Sequence, residues 1–231
     1  MDWAGVDWAG TDCDGALPLG AAPCGAPDGG EAAGGEEAGA GLPAGTQRGD
    51  ADLRCRRLRP HASAEARSID GVAPGVHTLL VEHHGNATAS VEEAAAITAD
   101  IEELIGAVWH SEKGSRPLTP ADVLVVAPYN TQVLTLQAHL QAAGLAEVLV
   151  GTVDKLQGRQ APVVYVSMTA SSGDEVPRGM AFLLNRNRLN VAISRAQYRT
   201  VVVRSPALTD YLPTTPDGMV DLGAFLAVSA G

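Results

Sequence analysis

GTVDKLQGRQAPVVYVSM, residues 151–168, and LLNRNRLNVAISRAQYRTVVVR, residues 183–204, carry the densest chemistry in this chain. In the first, Thr152, Asp154, Lys155 and Gly158 follow a short apolar segment and precede the long apolar run Val163–Met168. A loop that approaches phosphate oxygens needs small residues, free backbone N–H groups and a hydroxyl donor, and Gly158 removes the side chain that would block the approach. The bland alternative is an ordinary strand–helix turn with an Asp cap. In the second, the helical pattern puts Leu189, Ala192, Ile193 and Ala196 on one face. Arg188 and Arg195, seven apart, are then nearly aligned. Two guanidiniums beside a buried helix face need an anion, and an Arg fork suits a phosphate. The bland alternative is a salt-bridged surface helix.

Working outward, the apolar text alternates between short runs and 3.6-period stripes. His77–Glu82 reads as a strand ending in a turn at His83-His84-Gly85-Asn86. Ser90-Val91-Glu92-Glu93 has capping-box form. The helix it opens, to about Trp109, lines up Ala94, Ile97, Ile101, Leu104, Ile105 and Val108. Ser111–Pro120 reads as a loop, Asp122–Ala127 as a buried strand, and Thr131–Ala143 as a helix with Val133, Leu136 and Leu140 inward. Glu147–Val150, Val163–Met168 and Thr200–Val203 complete the strands, Phe182–Arg195 is mainly helical, and Leu222–Val228 is a last helix. Apolar strands alternating with helices predict an α/β fold with a parallel sheet covered by helices on both faces. In such sheets function gathers beyond the strand C-termini, here the loops from His83, Pro128, Gly151, Thr169 and Arg204.

The first quarter differs. Residues 1–50 hold thirteen Gly and eleven Ala, with nine acids against one base. Nothing there holds apolar residues in register, so residues 1–58 read as a disordered Gly/Ala-rich tail. A GC-rich gene translated in the wrong frame would give the same text, and both readings stay open. Residues 59–75 form a connector, and 76–231 the folded domain. The net charge of −11 over 231 residues argues against an evenly charged nucleic-acid binder, but the charge is uneven: residues 151–204 carry three acids and eight bases. The three cysteines all lie before residue 56, without zinc spacing, so no disulfide framework or metal site is expected, in keeping with a reducing cytoplasm. His83-His84 does not suggest a metal site, because neighbours on a strand face opposite ways; a turn end is the expected role. No basic-then-apolar leader and no membrane-length apolar run is present.

Taken together, Thr152–Gly158 and Arg188–Ala196 resemble motifs V and VI of superfamily 1 helicases, in the Upf-like branch. Asp122–Gln132 (DVLVVAPYNTQ) resembles motif IV. The resemblance covers about Pro74 to Leu212 and implies the C-terminal RecA-like domain, of the P-loop NTPase type. It implies that Arg195 is an arginine finger for the ATP γ-phosphate and that Arg188 is a second, less defined motif VI arginine. Gly158 and Gln160 would lie by the nucleotide, and Thr152, Asp154 and Lys155 by the nucleic-acid backbone. Tyr129 and Gln132 match motif IV without an assigned role. The family usually has Glu where this chain has Gln160, which removes a charge at that point. No G-x-x-x-x-G-K-[ST] occurs, and no strand ends in paired acids. ATP with Mg²⁺ would therefore need the first RecA-like domain, in cis or in trans. The expected partners are that domain and single-stranded DNA or RNA, with no membrane. Two alternatives are a truncated, inactive binding module and a bland α/β domain. The polar loop Ala170–Arg178 could touch nucleic acid through Arg178 or simply cover the sheet end.

Overall fold

The computed structural model describes residues 67–229. The tail expected over residues 1–58, and the connector before residue 67, lie outside the described residues.

The fold follows from strands whose side chains are apolar on both faces. Five strands form one sheet: β2 (Gly75–Leu80), β5 (Val123–Val126), β6 (Leu149–Gly151), β7 (Ala161–Ser167) and β8 (Ala196–Arg204). Their spatial order is β2-β8-β7-β5-β6, and every pairing is parallel. Side chains alternate across the pleat. Val123, Val125, Val163, Tyr165, Val201 and Val203 therefore enter one core, while Leu124, Val126, Val164, Val166 and Val202 enter the other.

Helices cover both faces. On the first lie α1 (Val91–Leu104), through Ala94, Ile97 and Ile101, and α2 (Asn130–Ala142), through Val133, Leu136 and Leu140. On the second lie α3 (Met180–Leu183), α4 (Arg186–Ile193) and α5 (Pro216–Ser229), which contribute Met180, Leu183, Leu189, Ala192 and Phe225. Burying each large aliphatic side chain contributes up to about 1.5–3 kcal/mol. The RecA-like α/β architecture expected from the sequence is present.

Three local expectations differ from the structure. The first helix stops at Leu104 instead of continuing to Trp109, because Ile105 is extended and Gly106 turns at φ 93°. That conformation is open mainly to glycine. Val108 then starts a strand, so its place in the helical stripe was accidental. β3 (Val108–Ser111) and β4 (Gly114–Pro117) form an antiparallel hairpin where a loop was expected. β1 (Ser68–Ile69) pairs with β3, making a second small sheet. Trp109 anchors it, packing edge to face on Tyr198 at 5.9 Å between ring centres. Third, the segment Phe182–Arg195 is two short helices, and the second ends before Arg195.

Candidate nucleotide and nucleic-acid site

Because the five strands are parallel, their C-terminal ends share one edge, and the loops after them meet there. The segment after β6 is a chain of turns from Val153 to Gly158 that leads into β7, so it is not the start of a helix. Leu156 pins the loop into the core. Gly151 lets Leu156 sit close above it, since an added Cβ would lie 3.0 Å from Leu156 Cγ and push that side chain aside. Gly158 sits at φ 78° with nothing within 4 Å of where a Cβ would lie, so its backbone is open to a ligand. Asp154, Lys155, Gly158 and Gln160 are exposed and Thr152 is half-buried.

Arg188 and Arg195 are not aligned on a helix. Asn185 caps α4 by accepting from the Arg188 N–H, and the helix ends at Ile193. Arg195 lies beyond it and turns inward, with 6% of its surface exposed. Its terminal nitrogens donate to the carbonyls of Val153 and Arg159, each at 3.3 Å. The Arg195 carbonyl in turn accepts from the Ala161 N–H at 3.0 Å. Arg195 thus bridges both ends of the Thr152–Gln160 loop and joins the two motifs physically. Its Nε is buried without a partner, and no carboxylate pairs with it among the described residues. Burial pulls this guanidinium below its ordinary pKa, though an Arg remains charged.

Arg188 points elsewhere. It stacks over Phe182, 4.5 Å from the ring centre, and reaches Asp154 at 4.0 Å. Arg178 lies 4.0 Å from the centre of the same ring. Tyr129 packs beside Phe182 at 5.8 Å, and its buried hydroxyl has no hydrogen-bond partner. Burial raises the Tyr129 pKa, and the charge of Arg178 partly opposes the rise. A cleft at this point is lined by Pro128, Val153, Phe182 and Arg188 over an apolar floor that includes Val126 and Met168.

Gln132, the other motif IV residue, is fully buried. Its amide donates to the Ser90 carbonyl and to Ser167 Oγ, both at 3.1 Å, and its oxygen accepts from the Ser90 N–H at 2.7 Å. It leads into a network that sequence reasoning missed. Glu93, also fully buried, accepts from Ser167 Oγ at 2.6 Å and from the Thr169 N–H at 3.0 Å. His83 is no turn end: it is buried between Glu93 Oε1 at 3.2 Å and Ser171 Oγ at 2.7 Å. Ser171 Oγ also accepts from the Asn86 N–H at 2.9 Å. Thr169 is held at φ 71°, a strained conformation for a β-branched residue. The network ties together the loops after β2 and β7 and the N-termini of α1 and α2. The hydroxyls at 167, 169 and 171, where an apolar strand gives out, were the signal.

A profile of AAA domains, the C-terminal region of superfamily 1 helicases, matches residues 76–207, more than half of the chain. The chain belongs to this family. Its members similar to this chain include helicase mov-10-B.1 of Danio rerio, 29% identical over 109 residues, covering 42% of this chain and 11% of that protein. DNA polymerase alpha-associated DNA helicase A of Schizosaccharomyces pombe is 38% identical over 86 residues, 37% of this chain and 12% of the relative. The DNA replication ATP-dependent helicase/nuclease DNA2 of Homo sapiens is 38% identical over 96 residues, 41% of this chain and 9% of the relative. The chain thus matches about a tenth of the length of these helicases. Among the described residues no group of His, Cys, Asp and Glu could hold a metal ion, and no helix is long and apolar enough to cross a membrane.

Proposed function

We propose that residues 76–231 are the C-terminal motor half of an ATP-dependent superfamily 1 helicase of the Upf-like branch. The observation that carries this reading is Arg195, a buried guanidinium without a carboxylate, braced across the loop that holds Thr152, Asp154, Lys155 and Gly158. A charge kept under the loop without an acid suits a site completed by an anion. Its orphaned Nε and the open backbone at Gly158 fit a nucleotide phosphate.

ATP bound with Mg²⁺ would supply the phosphoryl transfer, with Arg195, Gly158 and Gln160 as the residues of this chain that hold it. Arg195 stabilises charge on the transferring phosphoryl group, while Arg188 stands apart from it, over Phe182 and near Asp154. Thr152, Asp154 and Lys155 contact the strand backbone. Because Arg195 bonds Val153 and Arg159, any shift of its guanidinium toward a phosphate releases both ends of that loop. This couples the nucleotide to the strand. Tyr129 and Gln132 support the same edge. The cleft is completed by a first RecA-like domain, in cis or in trans.

A second reading, a binding module without turnover, is favoured by the lack of a G-x-x-x-x-G-K-[ST] phosphate loop in the sequence. The purified chain separates the two from a bland α/β domain. Expected are binding of a labelled single strand, by fluorescence anisotropy, and no Mg²⁺-dependent ATP hydrolysis. Failure to bind any single strand or nucleotide would remove both readings. Hydrolysis by the chain alone would overturn the need for a partner domain.

A further inference from the structure

Arg178 belongs to none of the three motifs, yet it converges with Arg188 and Tyr129 on one ring. Its guanidinium carbon lies 4.0 Å from the Phe182 ring centre and that of Arg188 lies 4.5 Å from it. The two positive charges are therefore held within two ring-contact distances of each other. Exposed like charges at this range are partly screened, and an anion that reached both would be favoured by each. Arg178 is exposed and pairs with no carboxylate among the described residues. Arg188 meets Asp154 at 4.0 Å, but both side chains are well exposed and such pairs hold weakly. The aromatic ring orients both guanidiniums without neutralising either.

A third group lacks a partner here. Tyr129 is only 9% exposed and its hydroxyl is buried without a hydrogen bond among the described residues. The ring lies 5.8 Å from Phe182, and the charge of Arg178 is close enough to oppose the rise in its pKa. A buried hydroxyl donor near one unpaired and one weakly paired guanidinium is a donor set that suits a phosphate. Of the three, Arg188 also lines the small cleft whose apolar wall includes Pro128, Val153 and Phe182.

We propose that Arg178, Arg188 and Tyr129 form a phosphate site for one phosphodiester of the bound single strand, with Arg178 as a contact residue outside the helicase motifs. The inference rests on the helicase reading above. The strand is favoured over ATP because Arg178 is exposed on the loop after β7, outside the Thr152–Gln160 loop that Arg195 braces. Arg188 reaches Asp154, the neighbour of Lys155, at 4.0 Å, so one strand can meet both this ring and the Lys155 loop.

The test uses the full chain and fluorescein-labelled oligothymidylate and oligouridylate, with affinity measured by anisotropy over a salt series. Arg178→Gln is expected to weaken strand binding several-fold. It should also reduce the slope of log K against log salt by about 0.7, the value of one phosphate contact on a single strand. Arg178→Lys should restore the slope but not the full affinity, because the fork is lost. Tyr129→Phe should weaken binding about tenfold or more, as expected for one hydrogen bond to a charged acceptor, with the salt slope unchanged. Arg178 is exposed, so circular dichroism should show intact folding. An unchanged affinity and slope for Arg178→Gln, while Lys155→Gln weakens binding, would overturn this site and leave the helicase reading standing. A loss confined to labelled ATP would also overturn it, placing the phosphate on the nucleotide. If the parent chain binds no strand, both fall.

Discussion

Replacing Glu93 by Ala should be among the most damaging single changes in the domain. Glu93 has no exposed surface and accepts from Ser167 Oγ, the Thr169 N–H and the His83 ring. Removing the carboxylate leaves the Thr169 N–H with no acceptor and Ser167 with only its weaker contacts. Each orphaned buried donor costs about 1–3 kcal/mol. Thr169 is held at φ 71° by that same bond, so the loop can relax and recover part of the loss. The net cost is expected to be about 3–4 kcal/mol, a large share of a stability of about 5–15 kcal/mol. Urea unfolding followed by far-UV circular dichroism measures it, and the midpoint should fall by about 1–2 M at an unchanged slope. Glu92→Ala is the internal control. Glu92 caps the same turn through Asn86 and Ser90 but is exposed, and should cost under about 1 kcal/mol. If Glu93→Ala costs no more than Glu92→Ala, the buried network does not hold this edge of the sheet and the reasoning fails.

Two further outcomes follow from the same packing. Trp109→Ala should destabilise by about 3–5 kcal/mol in the same unfolding assay, because Trp109 is buried against Tyr198 and holds the small sheet to the core. A surface-like cost would place the hairpin outside the folded unit. Burial pushes the Asp122 carboxyl up, but hydrogen bonds from Arg116 and from the N–H and hydroxyl of Thr119 outweigh it, so its pKa is below the ordinary value. A folded pKa below the unfolded one stabilises above about pH 4 and loses that contribution as pH falls through the folded value. Asp122→Asn should therefore cost about 1–2 kcal/mol at neutral pH, allowing for the half-exposed Arg116. The gap from the parent should close as the pH falls through the lowered folded pKa of Asp122; a pH-independent gap would contradict the assignment.

The sheet was legible because its central runs, Val123–Val126, Val163–Val166 and Val201–Val203, are apolar at successive positions, as strands covered on both faces must be. Val133, Leu136 and Leu140 sit where their spacing puts them. What the sequence hid has physical causes. Val108 and Trp109 continue the stripe of α1, so the hairpin was masked by a period that fits helix and core strand alike. Glu93, in the first turn of a capped helix, reads as a solvated acid, and only tertiary contacts with Ser167 and Thr169 show it buried. Arg195 looked helical because no Gly or Pro marks the end of α4 at Ile193. The motifs identified the loop and the arginine, but the bonds joining Arg195 to Val153 and Arg159 depend on how the two segments fold over each other.

If Arg195 is the arginine finger of a two-domain motor, ATP turnover must depend on it. The direct test joins this chain to a phosphate-loop RecA-like domain, in cis or by reconstitution in trans, and measures strand-stimulated ATP turnover with Arg195 and with Arg195→Ala. Turnover by the assembled motor at saturating strand is expected to fall by about 10³-fold or more on substitution, well beyond any loss of strand affinity from unbracing the Thr152–Gln160 loop, with an unchanged far-UV spectrum. Retained turnover in a folded Arg195→Ala motor would contradict the claim.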